Sequence, residues 1–336
     1  MDAPESLPFW LHPPWRRLYQ ARALGRMPHA LLLSGGRGMG KEMLARHLGQ
    51  SLLCQAPDGE GHPCGRCRGC HLFRAGTHPD FVWLAPDTEG GSREIRIDAV
   101  REACMGEALS SQAGGYRILV FAPAEAMNRH AFNALLKTLE EPLGDTLMLL
   151  LAVRAERLPA TIRSRCQRLH LAPPTEDAAL AWLAAQGLEV DAVEALRLAA
   201  GAPLAALEVA RDGSLQARRE ALGDFLELAA GRADPVLVAE AWTRRQPGLS
   251  LNWIAGWIAD LARAAAARQP PRLRDPRVVE SLMALATRLD PAGLHRLWRR
   301  VVRLAAEAEA RNLSPQLALE TSLVEWARLC HRAGPG

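Results

Sequence analysis

Four cysteines lie within 17 residues and are the side chains of this sequence best suited to binding a metal. They follow the spacing Cys54-x9-Cys64-x2-Cys67-x2-Cys70. Closely spaced Cys-x2-Cys pairs bring thiolates to one tetrahedral ion, and four soft ligands leave no position open for water or substrate. An iron–sulfur site would need a further cysteine before a proline, and position 74 is Arg74. We therefore predict a structural zinc site, for which His62 and His71 are nearby but unnecessary ligands.

A glycine-rich segment that follows an apolar run has the spacing of a phosphate-binding loop. It reads Ser34-Gly35-Gly36-Arg37-Gly38-Met39-Gly40-Lys41-Glu42. Gly35, Gly40 and Lys41 fit the P-loop pattern GxxxxGK[ST], but Glu42 replaces the hydroxyl that would bind Mg²⁺. A carboxylate at a helix N-terminus satisfies the helix dipole by itself and repels phosphate. We predict a degenerate P-loop that does not hydrolyse ATP, with a ligand-free strand-to-helix turn as the alternative.

The acidic residues that hydrolysis requires are also missing from a later strand. Phosphoryl transfer needs a carboxylate to hold the metal and a residue to orient water. The strand that ends at Phe121 runs instead into Ala122 and Pro123, and neither can do this. Glu125 lies three residues after Ala122, the position where the carboxylate is expected. We expect Glu125 to be a solvated residue at the start of the next helix.

Lysine is rare in this chain: of 41 basic residues only Lys41 and Lys137 are lysines. Both fall inside motifs, because Lys137 belongs to a proline-terminated helical segment over residues 133–142. A third motif, Ser164-Arg165-Cys166, precedes the apolar run 167–171. An isolated arginine is usually a surface charge, so these residue types alone assign no role to Arg165.

Composition excludes several classes of protein. The chain has 336 residues, of which 49% are hydrophobic and 23% charged, as in a globular protein of two or three domains. Its longest apolar run, Leu147 to Val153, is too short to cross a bilayer, and its acidic first residues are unlike a signal peptide. The seven cysteines do not resemble a disulfide framework, so we expect a cytoplasmic protein without a membrane partner. A pI of about 8.8 leaves direct DNA binding open without favouring it.

The elements that must position these motifs alternate along the first 170 or so residues. Short apolar runs at 31–33, 81–84, 117–121, 147–153 and 167–171 alternate with helical stretches, which predicts a mostly parallel sheet covered on two sides. After Pro173 the sequence is rich in Ala and Leu, with a second break near Gly213 and no further strand signal. Apolar residues then recur at helical spacing, as in the series Leu294, Leu297, Val301 and Leu304.

Taken together, the motifs resemble the clamp-loader branch of the AAA+ family. The resemblance rests on Met27-Pro28-His29-Ala30, the four-cysteine insert, Gly76 to Asp80, Asn133 to Pro142, Ser164-Arg165-Cys166 and Asn312 to Glu320. It implies an AAA+ domain over 1–172 with a zinc module at about 54–70. A small helical lid over 173–212 and a helical collar over 213–336 would follow.

The resemblance also implies a function. Five subunits of this family form a ring that opens the sliding clamp of DNA polymerase III and loads it on primed DNA. The implied partners are motor subunits of the gamma or tau type and a delta subunit, with clamp and primer–template DNA reached through the complex. Because Glu42, Ala122, Pro123 and Leu204 depart from the motor subunits, the chain is expected to hydrolyse no ATP. In the family, the Arg165 position, flanked by Ser164 and Cys166, supplies an arginine finger to the nucleotide of a neighbouring subunit.

Two alternatives remain open from the sequence. The first is an active gamma- or tau-type ATPase, which metal-dependent turnover by the purified chain would reveal. The second is a zinc-containing DNA-binding protein, which would bind DNA tightly and with strong salt dependence.

Overall fold

A computed structural model describes residues 7–87, 92–104, 115–142, 144–245, 247–266, 279–309 and 313–332. Asn312 of the C-terminal motif lies outside the described residues. Five strands form one parallel sheet in the order β2-β3-β4-β1-β5. They are β1 (Ala30–Ser34), β2 (Phe81–Leu84), β3 (Arg117–Phe121), β4 (Thr146–Ala152) and β5 (Gln167–His170). All five predicted strands are therefore present, and none of their ends differs from the predicted one by more than one residue.

Helices alternate with the strands, and after β5 the described residues form helices without further strands. The first six are α1 (His12–Ala23), α2 (Lys41–Leu52), α3 (Arg68–Arg74), α4 (Ile97–Ala103), α5 (Arg129–Glu140) and α6 (Ala160–Arg163). The next three are α7 (Glu176–Ala185), α8 (Ala192–Leu198) and α9 (Pro203–Arg211). The last six are α10 (Ser214–Ala229), α11 (Pro235–Arg245), α12 (Pro247–Ala266), α13 (Val279–Ala286), α14 (Pro291–Glu309) and α15 (Pro315–Arg332).

The predicted fold class is confirmed: a parallel sheet covered by helices carries a four-cysteine insert and is followed by helices alone. The central strands β3 and β4 are buried at every position, as expected for strands covered on both faces. Helix α5 begins earlier than the predicted segment at 133, because the Asn128 side chain accepts a hydrogen bond from the N–H of Ala131 and caps the helix.

The sheet brings several chain segments to one edge. Because all strands are parallel, the residues after β1, β3, β4 and β5 leave the sheet on the same side. Two backbone hydrogen bonds close this edge around the start of the glycine loop, from Gly35 N to Ala152 O (3.2 Å) and from Leu171 N to Ser34 O (2.8 Å). The glycine loop, the segment after β3 and the segment after β4 therefore lie next to one another.

The chain divides into two compact units, one of Met1–Ala178 with Ala202–Ala205 and the other of Ala179–Gly201 with Ala206–Gly336. Within the second unit, one apolar cluster joins α7, α8 and α9 to Leu215, and a separate, larger one joins α10 to α15. The division into three domains at 172 and 212 stays a prediction.

The larger helical cluster contains the apolar stripes that the sequence predicted. Leu294, Leu297 and Val301 of α14 are buried, and so are the residues of α15 at matching spacing. At its centre the rings of Phe225 and Trp326 stack with centroids 4.2 Å apart, and the Trp326 indole donates a hydrogen bond to the Phe225 carbonyl. Among the described residues, no helix is both long enough and apolar enough to cross a membrane.

Candidate functional sites

The four cysteines of the predicted metal site converge in the structure. Their sulfur atoms all lie within 4.8 Å of one another, and the sulfurs of Cys54 and Cys67 are 3.8 Å apart. Four sulfurs placed about 2.3 Å from one zinc ion in a tetrahedron would be roughly 3.8 Å apart. None of the four forms a disulfide. The arrangement could therefore hold one metal ion such as zinc, with all four positions filled by thiolates.

Local structure explains how two short segments meet at this cluster. Cys54 follows the end of α2, while Cys67 is the N-cap of α3 and Cys70 lies in its first turn. The close packing of these segments requires a glycine at position 69, because a Cβ there would stand 2.2 Å from the carbonyl oxygen of Leu53. The start of α3 can therefore pack directly against the end of α2.

Backbone N–H groups point at the sulfur atoms, as they would around thiolates. The N–H of Cys64 donates to Cys54 Sγ (3.3 Å), and those of Cys70 and Gln55 donate to Cys67 Sγ (3.4 and 3.5 Å). Burial raises the pKa of Cys67, but these donors, together with hydrogen bonds to the Cys70 and Cys64 thiols, outweigh it and lower that pKa to about 6. Such hydrogen bonds favour the charged form that a metal needs.

The loop between the first two cysteines packs on α1, a contact that the sequence analysis missed. The side chains of Trp15 and Tyr19 donate hydrogen bonds to the carbonyls of Glu60 (3.3 Å) and Gly59 (2.7 Å). The His62 ring stacks on Trp15, with its Nδ1 2.8 Å from Nε2 of His47. Aromatic residues four positions apart on α1 were the only sequence signal for this contact.

The buried partner in that contact, His47, is held neutral. Burial first, and the neighbouring His62 second, lower the pKa of His47 to about 4. One imidazole can then donate to the other without two positive charges meeting. The loop is thus joined to α1 and α2 by polar contacts as well as by the cysteine cluster.

The glycine loop runs from the end of β1 to Lys41, the first residue of α2. Lys41 Nζ donates hydrogen bonds to the loop's own carbonyl oxygens, those of Gly35 (2.9 Å) and Gly36 (2.8 Å). Burial lowers the pKa of Lys41, against the nearby carboxylates of Glu125 and Glu42, which raise it. The ammonium therefore binds within the loop in this structure.

Other parts of the first unit pack closely over the loop. The Trp10 indole donates a hydrogen bond to the carbonyl of Met39 (3.1 Å), and Met39 is fully buried. Gly38 has φ +74°, and a Cβ there would stand 2.3 Å from the backbone nitrogen of Ala205 at the start of α9. A Cβ on Gly40, where φ is +84°, would lie 2.8 Å from Leu11 Cδ1 of the N-terminal segment. Glycines at these positions allow the N-terminal segment and the start of α9 to approach the loop.

The segment after β3 places a single carboxylate near the loop, and that carboxylate is not solvated as the sequence led us to expect. Glu125 is only partly exposed; its Oε1 accepts a hydrogen bond from the N–H of Arg154 (2.7 Å). Its buried Oε2 has no hydrogen-bond partner among the described residues. Glu125 thus links the segments after β3 and β4, because the parallel sheet brings both to the edge beside Lys41. Ala122, at the position of the expected metal-binding carboxylate, is buried.

Arg165 lies between α6 and β5, and its guanidinium is partly exposed. Its Nη2 lies 2.5 Å from Glu140 Oε1, and its Nη1 donates to the carbonyl oxygen of Thr161 (3.0 Å). The side chain retains 36% of its accessible surface. The guanidinium is therefore held at the surface, where a second molecule could reach it.

The two residues that flank Arg165 have structural contacts. The Ser164 hydroxyl donates a hydrogen bond to the carbonyl of Thr161 (3.1 Å) at the end of α6. Cys166 is buried in the apolar cluster of the sheet domain, and burial raises the pKa of its thiol to about 11. An un-ionised, buried thiol is a poor nucleophile, so Cys166 is unsuited to react.

Comparison with known proteins assigns the chain to a family. Residues 12–175 match the family described as DNA polymerase III, delta subunit, and residues 212–328 match that of its C-terminal part. The chain is 39% identical over 288 residues to the delta' subunit of DNA polymerase III from Escherichia coli (strain K12), covering 85% of this chain and 84% of that protein. It is 35% identical over 334 residues to the delta' subunit from Pseudomonas aeruginosa, and the alignment covers 96% of this chain and 98% of that protein.

A more limited similarity extends to a second subunit type. The tau subunit of the Escherichia coli enzyme is 35% identical over 149 residues, which are 44% of this chain and 22% of that protein. A solved structure, the gamma-subunit-related protein of Thermotoga maritima, aligns with 93% of this chain and 98% of its own at 16% identity and a TM-score of 0.44. Because the matches to delta' subunits extend over most of both proteins, the chain belongs to the family of delta' subunits of DNA polymerase III.

Proposed function

We propose that this chain is a non-hydrolysing subunit of the DNA polymerase III clamp loader. It would stand in a five-subunit ring beside gamma- or tau-type motor subunits and a delta subunit. The ring opens the sliding clamp and loads it on primed DNA. The observation that carries the proposal is the combination of a disabled phosphate loop with an accessible arginine in a chain that belongs to the delta' family.

The geometry around the phosphate loop supports the absence of hydrolysis. Lys41 is bonded to the loop's own carbonyls, Glu42 takes the place of a metal-binding hydroxyl, and buried Ala122 has no group that could hold Mg²⁺. Phosphoryl transfer depends on positioning and charge neutralisation, and the residues that would provide both are replaced here. We expect the isolated chain to turn over no ATP.

The exposure and chemistry of Arg165 support a role in trans. A guanidinium is always charged and can bind phosphate oxygens in a fork, so it can neutralise charge that develops on a γ-phosphate. Arg165 is tethered through Thr161 and Glu140 but not enclosed. We propose that it acts as an arginine finger for the nucleotide held by the neighbouring motor subunit.

The four cysteines would hold a structural zinc ion. Bound there, the ion would cross-link the loop after α2 to the start of α3, because one cysteine follows α2 and two begin α3. No ligand position would remain for water, which excludes a catalytic role for such an ion. The module's contacts with Trp15 and Tyr19 would keep it fixed on α1.

Reconstitution of the loader with Arg165 variants tests this function. Arg165→Ala should leave assembly intact while reducing clamp- and DNA-stimulated ATP turnover and clamp loading. Fingers of this kind contribute about 10³–10⁵ in rate at one site, but several sites in a ring turn over, so the loss in bulk should be partial. Arg165→Lys should be nearly as harmful, since a point charge cannot reproduce the fork. Normal loading by the alanine variant would contradict the finger, and metal-dependent turnover by the chain alone would favour an active ATPase.

A further inference from the structure

A row of arginines lies along the exposed face of α14. The row consists of Arg296, Arg299, Arg300 and Arg303, and all four are exposed. They border an open cavity of about 500 Å³, together with Leu304 and Glu307. At 100° per residue the four guanidinium-bearing positions fall within roughly a quarter to a third of the helix circumference, opposite the buried face.

The charges of this row are only partly compensated within the chain. Arg296 Nη2 lies 3.4 Å from Asp290 Oδ2, and Arg300 Nε lies 3.0 Å from Glu325 Oε1 on α15. Over the part of the chain that the structure describes, no carboxylate pairs with Arg299 or Arg303. These two exposed side chains lie about one helical turn apart.

We propose that the arginine row of α14 binds the phosphate backbone of DNA directly and without sequence preference. The row extends over eight residues, or roughly 10 Å of helix axis, a length over which one strand of duplex DNA carries about three phosphates. Guanidinium groups bind phosphate oxygens in a bidentate fork. The site is distinct from the zinc module and from the phosphate loop, and it does not depend on the arginine finger or on ring assembly.

The composition of the face favours DNA over a protein partner. Protein interfaces combine arginine with aromatic and apolar side chains and are depleted in other charged residues, whereas interfaces with DNA are strongly positive and polar. Apart from the half-buried Leu304, the cavity is lined by charged side chains. Val302, the exposed large apolar residue of this helix, does not line it.

Binding of a fluorescent primer–template DNA to the purified full chain tests the proposal. Measured by anisotropy from 50 to 200 mM salt, the double variant Arg299→Gln with Arg303→Gln should weaken binding about tenfold at the lower salt. Its slope of log K against log salt should fall by about 2, since each phosphate contact contributes about 0.9. Replacement of the same two residues by lysine should retain most of the slope.

Two comparisons make the result decisive. The control variant Arg17→Gln with Arg26→Gln removes two exposed arginines from another surface and should change affinity less than twofold. Poly-glutamate of matched charge should compete far less well than unlabelled DNA. Equal affinity and slope for the α14 double variant and the unaltered chain would overturn the proposal. Equal competition by poly-glutamate would overturn it too, because the row would then be a surface for acidic protein segments.

Discussion

The carboxylate of Glu140 lies 2.5 Å from the guanidinium of Arg165, Oε1 to Nη2, and joins the last residue of α5 to the segment between α6 and β5. The two belong to different motifs of the sequence, the proline-terminated helix and the Ser164-Arg165-Cys166 segment. Their pairing gives the proposed finger a defined position before any neighbouring subunit is present. A phosphate in a partner's site would compete with Glu140 for the same guanidinium.

Removing the Glu140 charge should release Arg165 without unfolding the chain. The side chains of the pair keep 36% and 50% of their surface exposed, and such ion pairs contribute about 0–1 kcal/mol to stability. We expect Glu140→Gln to change the free energy of unfolding by less than about 1 kcal/mol and to leave loading activity within about threefold of the unaltered loader. Urea unfolding and a loading assay check this. A loss of loading as large as that of Arg165→Ala would mean that Glu140 is required to hold the finger in place.

Lys41 should matter for stability rather than for nucleotide binding. Because its ammonium donates to two loop carbonyls, Lys41→Met should lower the free energy of unfolding by about 1–2 kcal/mol. The matched control is Lys137→Met, which replaces the only other lysine, an exposed one, and should have an effect within about 0.5 kcal/mol. Urea titrations measure both. An unchanged stability together with lost ATP binding would identify Lys41 as a phosphate ligand instead.

The cysteine cluster should bind one zinc ion per chain. Metal analysis of protein purified without added zinc should give a stoichiometry near one, and Cys67→Ser with Cys70→Ser should abolish it, since two thiolates cannot complete the tetrahedron. Cys104→Ser, which alters a cysteine outside the cluster, should retain the metal. Stoichiometry near zero in the unaltered chain, or metal retained by the double variant, would contradict the assignment.

The stacked pair Phe225 and Trp326 should be the most sensitive point of the larger helical cluster. Both rings are fully buried, and Trp326 also donates a hydrogen bond to the Phe225 carbonyl. Trp326→Ala should cost about 3–5 kcal/mol of unfolding free energy through the cavity it leaves. Leu317→Ala, on the exposed side of α15, should cost less than about 0.5 kcal/mol. Denaturant unfolding of both variants gives the comparison, and similar costs would contradict the packing.

Features that depend on nearby residues could be read from the sequence. Each of these features can be recognised within a short stretch of the chain. They are the spacing of the four cysteines, the alternation of apolar runs with helices, and the apolar stripes of α14 and α15. Strand burial on two faces and helical periodicity are local patterns that follow from backbone geometry. For that reason the parallel sheet, the cysteine insert and the helical second half were all predicted, and the structure has each of them.

The contacts that define the sites were decided by tertiary structure. Glu125 was expected to be solvated, but the parallel sheet places it beside Lys41 and within hydrogen-bond distance of the Arg154 N–H. Trp15 of α1 and Glu60 of the cysteine insert are 45 residues apart, and Arg165 and Glu140 are 25 apart. Neither the two-residue repeat of a strand nor the 3.6-residue repeat of a helix links positions so far apart. Only the packing of the sheet and its helices brings them together, because strand order and side-chain volume determine which distant residues become neighbours.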